Sequence, residues 1–100
     1  GINVVCIVFA DAFFGNVKRI QNDAFGGRNI GVELENPDFV QLAKAFGMLG
    51  IKARTADELR KAIREAFNAR GPVLIEVPVG DLPSIWDYIK RPPSAGLVAK

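Results

Sequence analysis

The sequence predicts an α/β fold: a parallel sheet in three layers, with helices on both faces joined by right-handed βαβ crossovers. Three observations carry this. Residues 2–9 read I-N-V-V-C-I-V-F, and residues 73–77 read V-L-I-E-V. Both are near-continuous apolar runs rich in β-branched side chains, as expected of strands covered on both faces. Between such runs lie helical patterns of 10–15 residues, and strands spaced that way connect by right-handed crossovers into a parallel sheet. Gly-containing breaks separate the segments, at Gly26-Gly27, Gly47 and Gly71-Pro72.

Taken in order, the first strand is expected over Asn3–Phe9. Helix one should run from Asn16, its N-cap, to Ala24, with Val17, Ile20 and Ala24 on one face and Gly26-Gly27 ending it. Asn29–Leu34 should be irregular or briefly extended. Asn36-Pro37 is a suitable helix start, with an N-cap side chain followed by a proline whose missing N–H does no harm. Phe39, Leu42, Ala43 and Phe46 then follow the i, i+3, i+4, i+7 spacing, and Gly47 suits the left-handed C-terminal position. A short strand should follow over Ile51–Arg54. Thr55-Ala56-Asp57-Glu58 is a capping box. Leu59, Ala62, Ile63, Ala66 and Phe67 form the expected buried stripe of the third helix. The domain is expected over residues 1–79. Residues 80–100, with Pro83, Pro92 and Pro93, read as a tail: one helical turn near Asp81–Ile89 packing Trp86 onto the body, then a loose end.

Composition narrows the function. The 100 residues carry 13 basic and 11 acidic side chains, a net charge of +2, with the basic residues scattered. That pattern gives no footprint for nucleic acid. There is no histidine, which excludes Ser-His and Cys-His catalysis and His-bound zinc within this chain. The single cysteine, Cys6, lies in the apolar strand and is expected to be a buried, inert thiol. No stretch approaches the ~20 apolar residues of a membrane span, and no secretory signal is visible, so a cytoplasmic setting is expected. The first strand is apolar on both faces, like a central strand, yet three strands give it too few neighbours. Such an edge is a liability. Upstream strands or a partner chain are therefore expected to cover it.

Asp11 stands where the first strand gives way to the first helix. In parallel sheets ligands bind beyond the carboxyl ends of strands, where helix N-termini present free N–H groups. A carboxylate there, with Gly15 close by, suits a metal ion bridging to a phosphate. The plainer reading is a turn residue closing the strand.

Specific motifs sharpen this. The strand followed by Asp11-Ala12-Phe13-Phe14-Gly15-Asn16-Val17 resembles the second half of the thiamine diphosphate motif. Asn36-Pro37-Asp38-Phe39-Val40-Gln41-Leu42-Ala43-Lys44-Ala45-Phe46-Gly47, and then Gly71-Pro72-Val73-Leu74-Ile75-Glu76-Val77, extend the likeness in the same order. Together they resemble the C-terminal cofactor-binding domain of acetolactate synthase-like and benzoylformate decarboxylase-like enzymes. The resemblance implies a thiamine diphosphate-binding fold, of which this chain is the C-terminal half. It implies thiamine diphosphate and Mg²⁺ as cofactors, Asp11 and the Phe13 carbonyl as metal ligands, and Phe14, Gly15, Asn16 and Val17 along the diphosphate. Ala10 and Phe14 replace an asparagine and a tyrosine usual in the family, and Ile20 replaces a tryptophan of acetolactate synthases. The family's Gly-Asp-Gly, and the glutamate that activates the cofactor, are absent.

On this resemblance the chain is part of a C–C lyase or carboligase acting on a 2-oxo acid, in a homodimeric or homotetrameric parent, and is inactive by itself. Its partner would be the upstream part of the same enzyme, or a subunit carrying Gly-Asp-Gly. The alternative is a non-catalytic α/β module that completes another chain's sheet.

Overall fold

A computed structural model describes residues 2–80. Their elements are β1 (Val5–Ala10), α1 (Gly15–Ala24), α2 (Phe39–Ala45), β2 (Leu49–Lys52), α3 (Ala56–Asn68) and β3 (Val73–Pro78). The expected tail helix and the placement of Trp86 lie outside the described residues. All pairings within the sheet are parallel, in the order β1-β3-β2. The fold class is therefore the one the apolar runs predict.

The register sorts the side chains into two faces. Ile7, Ile75 and Ile51 align across the sheet, as do Val8, Glu76 and Lys52. Because side chains alternate along a strand, the first row faces one way and the second the other. α3 covers the isoleucine face: Ala53, Ala62, Ala66, Val73 and Ile75 form the buried core, with Leu59, Ile63 and Ile51 packed against it. α2 covers the opposite face, close enough that a Cβ on Gly50 would lie 2.9 Å from the Val40 carbonyl oxygen and 3.0 Å from Ala43 Cβ. Helices on both faces complete the three layers.

β1 is an edge strand. Its only partner among the described residues is β3, and Phe9 is 60% exposed. Cys6, expected to be buried, is exposed, because the helices cover β3 and β2 and leave the outer part of β1 bare. The same geometry corrects Phe67. The residue is 77% exposed and borders a hollow with Asn3, Val4 and Val5, over the start of the uncovered strand. Phe46 is also exposed, being the C-cap that follows α2 rather than part of its buried stripe.

Four element starts differ from expectation, the first being β1, which begins at Val5 rather than Asn3. α2 is capped by Asp38, whose Oδ1 accepts from Gln41 N at 2.9 Å, so Asn36 and Pro37 stand outside the helix. β2 begins at Leu49, two residues early. A glycine normally weakens a strand, but at position 50 its missing side chain is what lets α2 close onto the sheet. α1 begins at Gly15 with Phe14 as N-cap and no side-chain cap. Asn16, expected as that cap, lies inside the first turn and accepts from the Arg19 guanidinium. The expected box caps α3 in modified form: Thr55 Oγ1 accepts from Glu58 N at 3.2 Å, while the Glu58 carboxylate accepts from Arg54 N, one residue before the cap.

Candidate functional site: the loop between the first strand and first helix

The chain leaves β1 at Ala10 and turns through Asp11 to Phe14 before α1. Two hydrogen bonds pin this loop to the segment that follows α1: Phe14 N donates to Val32 O, and Leu34 N to Ala12 O, each at 2.9 Å. They enclose an isolated antiparallel bridge between Phe13 and Glu33. Residues 29–34 are thus irregular apart from this bridge, with a bend at Gly31, and Val32 is buried there.

In such a bridge the enclosed residue turns its own N–H and C=O away from the partner segment. Phe13 N accordingly donates to Asp11 Oδ1 at 3.1 Å. The Phe13 ring is held by Lys18, whose Nζ lies 3.4 Å from its centroid, a cation–π contact. Ala12 takes the strain of the turn, with φ at +59°, a region that costs a residue with a Cβ roughly 1–2 kcal/mol.

The other carboxylate oxygen, Asp11 Oδ2, faces the start of α1. A Cβ on Gly15 would lie 3.1 Å from it. The N–H groups of Gly15, Asn16 and Val17 form the first turn of α1, where no intrahelical acceptor exists; the helical pattern begins with Lys18 N donating to Phe14 O. No side chain caps this turn. Of the expected site residues, Asp11 therefore lies beside Gly15, at the turn that Asn16 and Val17 complete. The Phe14 N–H is committed to Val32 O, which leaves three donors rather than four for an anion.

A hard oxygen (Asp11 Oδ2) beside three N–H groups without intrahelical acceptors suits a metal ion that bridges to a phosphate. No group of three or more His, Cys, Asp or Glu gathers among the described residues. Mg²⁺ fits this sparse set, because it takes few ligands from protein and completes its octahedron with phosphate oxygens and water.

Residues 1–77 match the profile of the thiamine pyrophosphate enzymes, C-terminal TPP binding domain. The chain belongs to this family. It is 34% identical over 88 residues to the acetolactate synthase large subunit of Haemophilus influenzae, covering 86% of this chain and 15% of that one. It is 43% identical over 79 residues to the mitochondrial acetolactate synthase catalytic subunit of Saccharomyces cerevisiae, covering 79% and 12% respectively. Among solved structures it is similar to the thiamine diphosphate-dependent 4-hydroxybenzoylformate decarboxylase of Rhodococcus jostii RHA1, with a TM-score of 0.73 and 30% identity. That match covers 83% of this chain and 16% of that one. The chain thus spans about 15% of the length of these relatives, and the family's enzymes are thiamine diphosphate-dependent. No helix among the described residues is long and apolar enough to cross a membrane.

One feature of this end of the sheet was not anticipated. Glu76, in the middle of β3, is buried, and its Oε1 pairs with Lys52 Nζ at 2.7 Å. The signal was a lone acid within V-L-I-E-V, which calls for a basic partner one strand away.

Proposed function

We propose that this chain forms the metal and diphosphate end of a thiamine diphosphate- and Mg²⁺-dependent enzyme. The parent would cleave or form a carbon–carbon bond beside a carbonyl, in a 2-oxo acid, as an acetolactate synthase-like carboligase or a decarboxylase. The observation that carries the proposal is Asp11 Oδ2 held against the uncapped first turn of α1 at the carboxyl end of β1. Asp11 and Phe13 would hold Mg²⁺. Gly15, Asn16 and Val17 would donate backbone N–H groups to the diphosphate, with Phe14 as the bend that aims them. The bound cofactor supplies the chemistry by accepting the electron pair released at the carbonyl carbon. This chain's own part is positioning, since none of these groups transfers a proton.

The bare edge of β1, and the exposed Val17 and Ile20 of α1, support a parent in which further polypeptide carrying Gly-Asp-Gly completes both the sheet and the metal's ligands. A homodimeric or homotetrameric parent accords with this reading. The same edge would serve a non-catalytic module completing another chain's sheet, but that reading leaves the placement of Asp11 against α1 without a purpose.

Calorimetry tests the proposal. Thiamine diphosphate with Mg²⁺ should bind this chain weakly or not at all, and bind the parent tightly. In the parent, Asp11→Ala should abolish metal-dependent cofactor retention with circular dichroism unchanged. Normal holoenzyme formation in that variant would remove Asp11 from the site.

A further inference from the structure

Beside the Asp11 loop lies a second feature that the diphosphate site does not use. A cavity of about 380 Å³ opens between the ends of the strands and the start of α2, lined by Ala10, Ala12, Asn36, Asp38, Lys52 and Glu76, with two prolines on its rim. The Glu76 side chain is only 8% exposed, and Lys52 occupies one of its oxygens. The other, Oε2, is buried without a hydrogen-bond partner among the described residues. An ionised oxygen removed from water and left unpaired is costly. The rest of the lining does not relieve it. Asp38 adds a second carboxylate and Asn36 a carboxamide, so with Lys52 the cavity carries a net charge of −1. Ala10 and Ala12 keep the walls small, and the volume suits a modest polar group.

We propose that this cavity receives a hydrogen-bond-donating cation, an ammonium or guanidinium group, with Glu76 Oε2 as its principal acceptor. Charge alone would satisfy the carboxylates with any monovalent ion. The orphaned oxygen asks in addition for an N–H donor, which separates this site from nonspecific attraction. The cation could be a free small amine or a basic side chain from the rest of the parent, because both bring the same chemistry.

Isotope-labelled protein titrated with methylammonium chloride tests the proposal, with tetramethylammonium chloride as the control at equal ionic strength. Methylammonium should shift the Glu76 carboxyl carbon and the Ala12 and Lys52 amides saturably. Tetramethylammonium has the charge but no N–H, and should bind about tenfold more weakly, the loss expected for one charge-assisted hydrogen bond. Glu76→Gln should remove the saturable response. Identical curves for the two cations, a response that does not saturate, or one that survives Glu76→Gln would overturn the proposal. The comparison of cations on the unaltered protein keeps the test decisive even if the variant folds poorly. Repeating the titration on the parent distinguishes the sources: a retained response identifies a free amine, and a response lost there but present in this chain identifies a basic side chain.

Discussion

Gly15 and Asp11 meet at the turn into α1: a Cβ on the glycine would stand 3.1 Å from the Asp11 Oδ2. The oxygen that does not accept from Phe13 N is thus the one held against the helix start, and the glycine is what leaves it room. Gly15→Ala should separate stability from binding. Alanine is favoured over glycine in a helix by up to about 1 kcal/mol, so the thermal midpoint should hold or rise slightly. The carboxylate must meanwhile move by a few tenths of an ångström, and the parent's Mg²⁺-dependent affinity for thiamine diphosphate should fall about tenfold, the scale of one charge-assisted contact. Calorimetry and a melting curve on the same preparation read both effects.

Ala12 offers the converse experiment. Its φ of +59° is held by the two bonds that flank it, Leu34 N to Ala12 O and Phe14 N to Val32 O. Ala12→Gly removes the steric penalty and adds freedom to the unfolded chain, so the net gain in stability should be about 0.5 kcal/mol. If the strain serves to aim Asp11, the stabilised variant should nonetheless retain metal and cofactor less well. Urea midpoints measure the first effect and cofactor dissociation rates the second.

What the sequence disclosed, and what it hid, divides along a physical line. Signals that are local and complete were legible: the apolar run that became Val73–Pro78, the Thr55–Glu58 box, and the acid after β1. Signals whose meaning depends on neighbours were not. Cys6 and Phe67 read as core because their patterns are apolar, yet both lie on or over β1, whose outer side no described residue covers. Asn36 and Asp38 can each cap a helix, and only the geometry shows Asp38 accepting from Gln41 while Asn36 faces the cavity. The pairing of Glu76 with Lys52 needed the sheet order, which places β3 between two strands distant in sequence.

Gly50 illustrates that dependence and gives a third prediction. A Cβ there would lie 2.9 Å from the Val40 carbonyl oxygen and 3.0 Å from both Val40 Cα and Ala43 Cβ. Two of these are backbone atoms and cannot swing aside as a flexible side chain would, so α2 must lift as a unit. Gly50→Ala should cost about 1–3 kcal/mol, in the range of overpacked cores. Denaturant unfolding checks this, and a midpoint unchanged from the parent sequence would mean that α2 sits further from the sheet.

Lys52→Arg tests the buried pair most directly. Lysine is a point charge, and its ammonium satisfies Glu76 Oε1 at 2.7 Å while Oε2 stays unpartnered among the described residues. A guanidinium presents a planar fork that matches both oxygens of a carboxylate. The Lys52 side chain is 34% exposed, so the longer head has a path by which to enter. If the fork engages both oxygens, the exchange should stabilise the protein by about 1 kcal/mol, the net worth of one additional hydrogen bond, seen as a higher urea midpoint at unchanged slope. The same exchange would occupy the oxygen to which the cavity's cation is assigned, so methylammonium should cease to shift the Glu76 carboxyl carbon. Stabilisation with the amine response intact would show that arginine found another partner. Loss of both stability and response would show that the fork does not fit between β2 and β3.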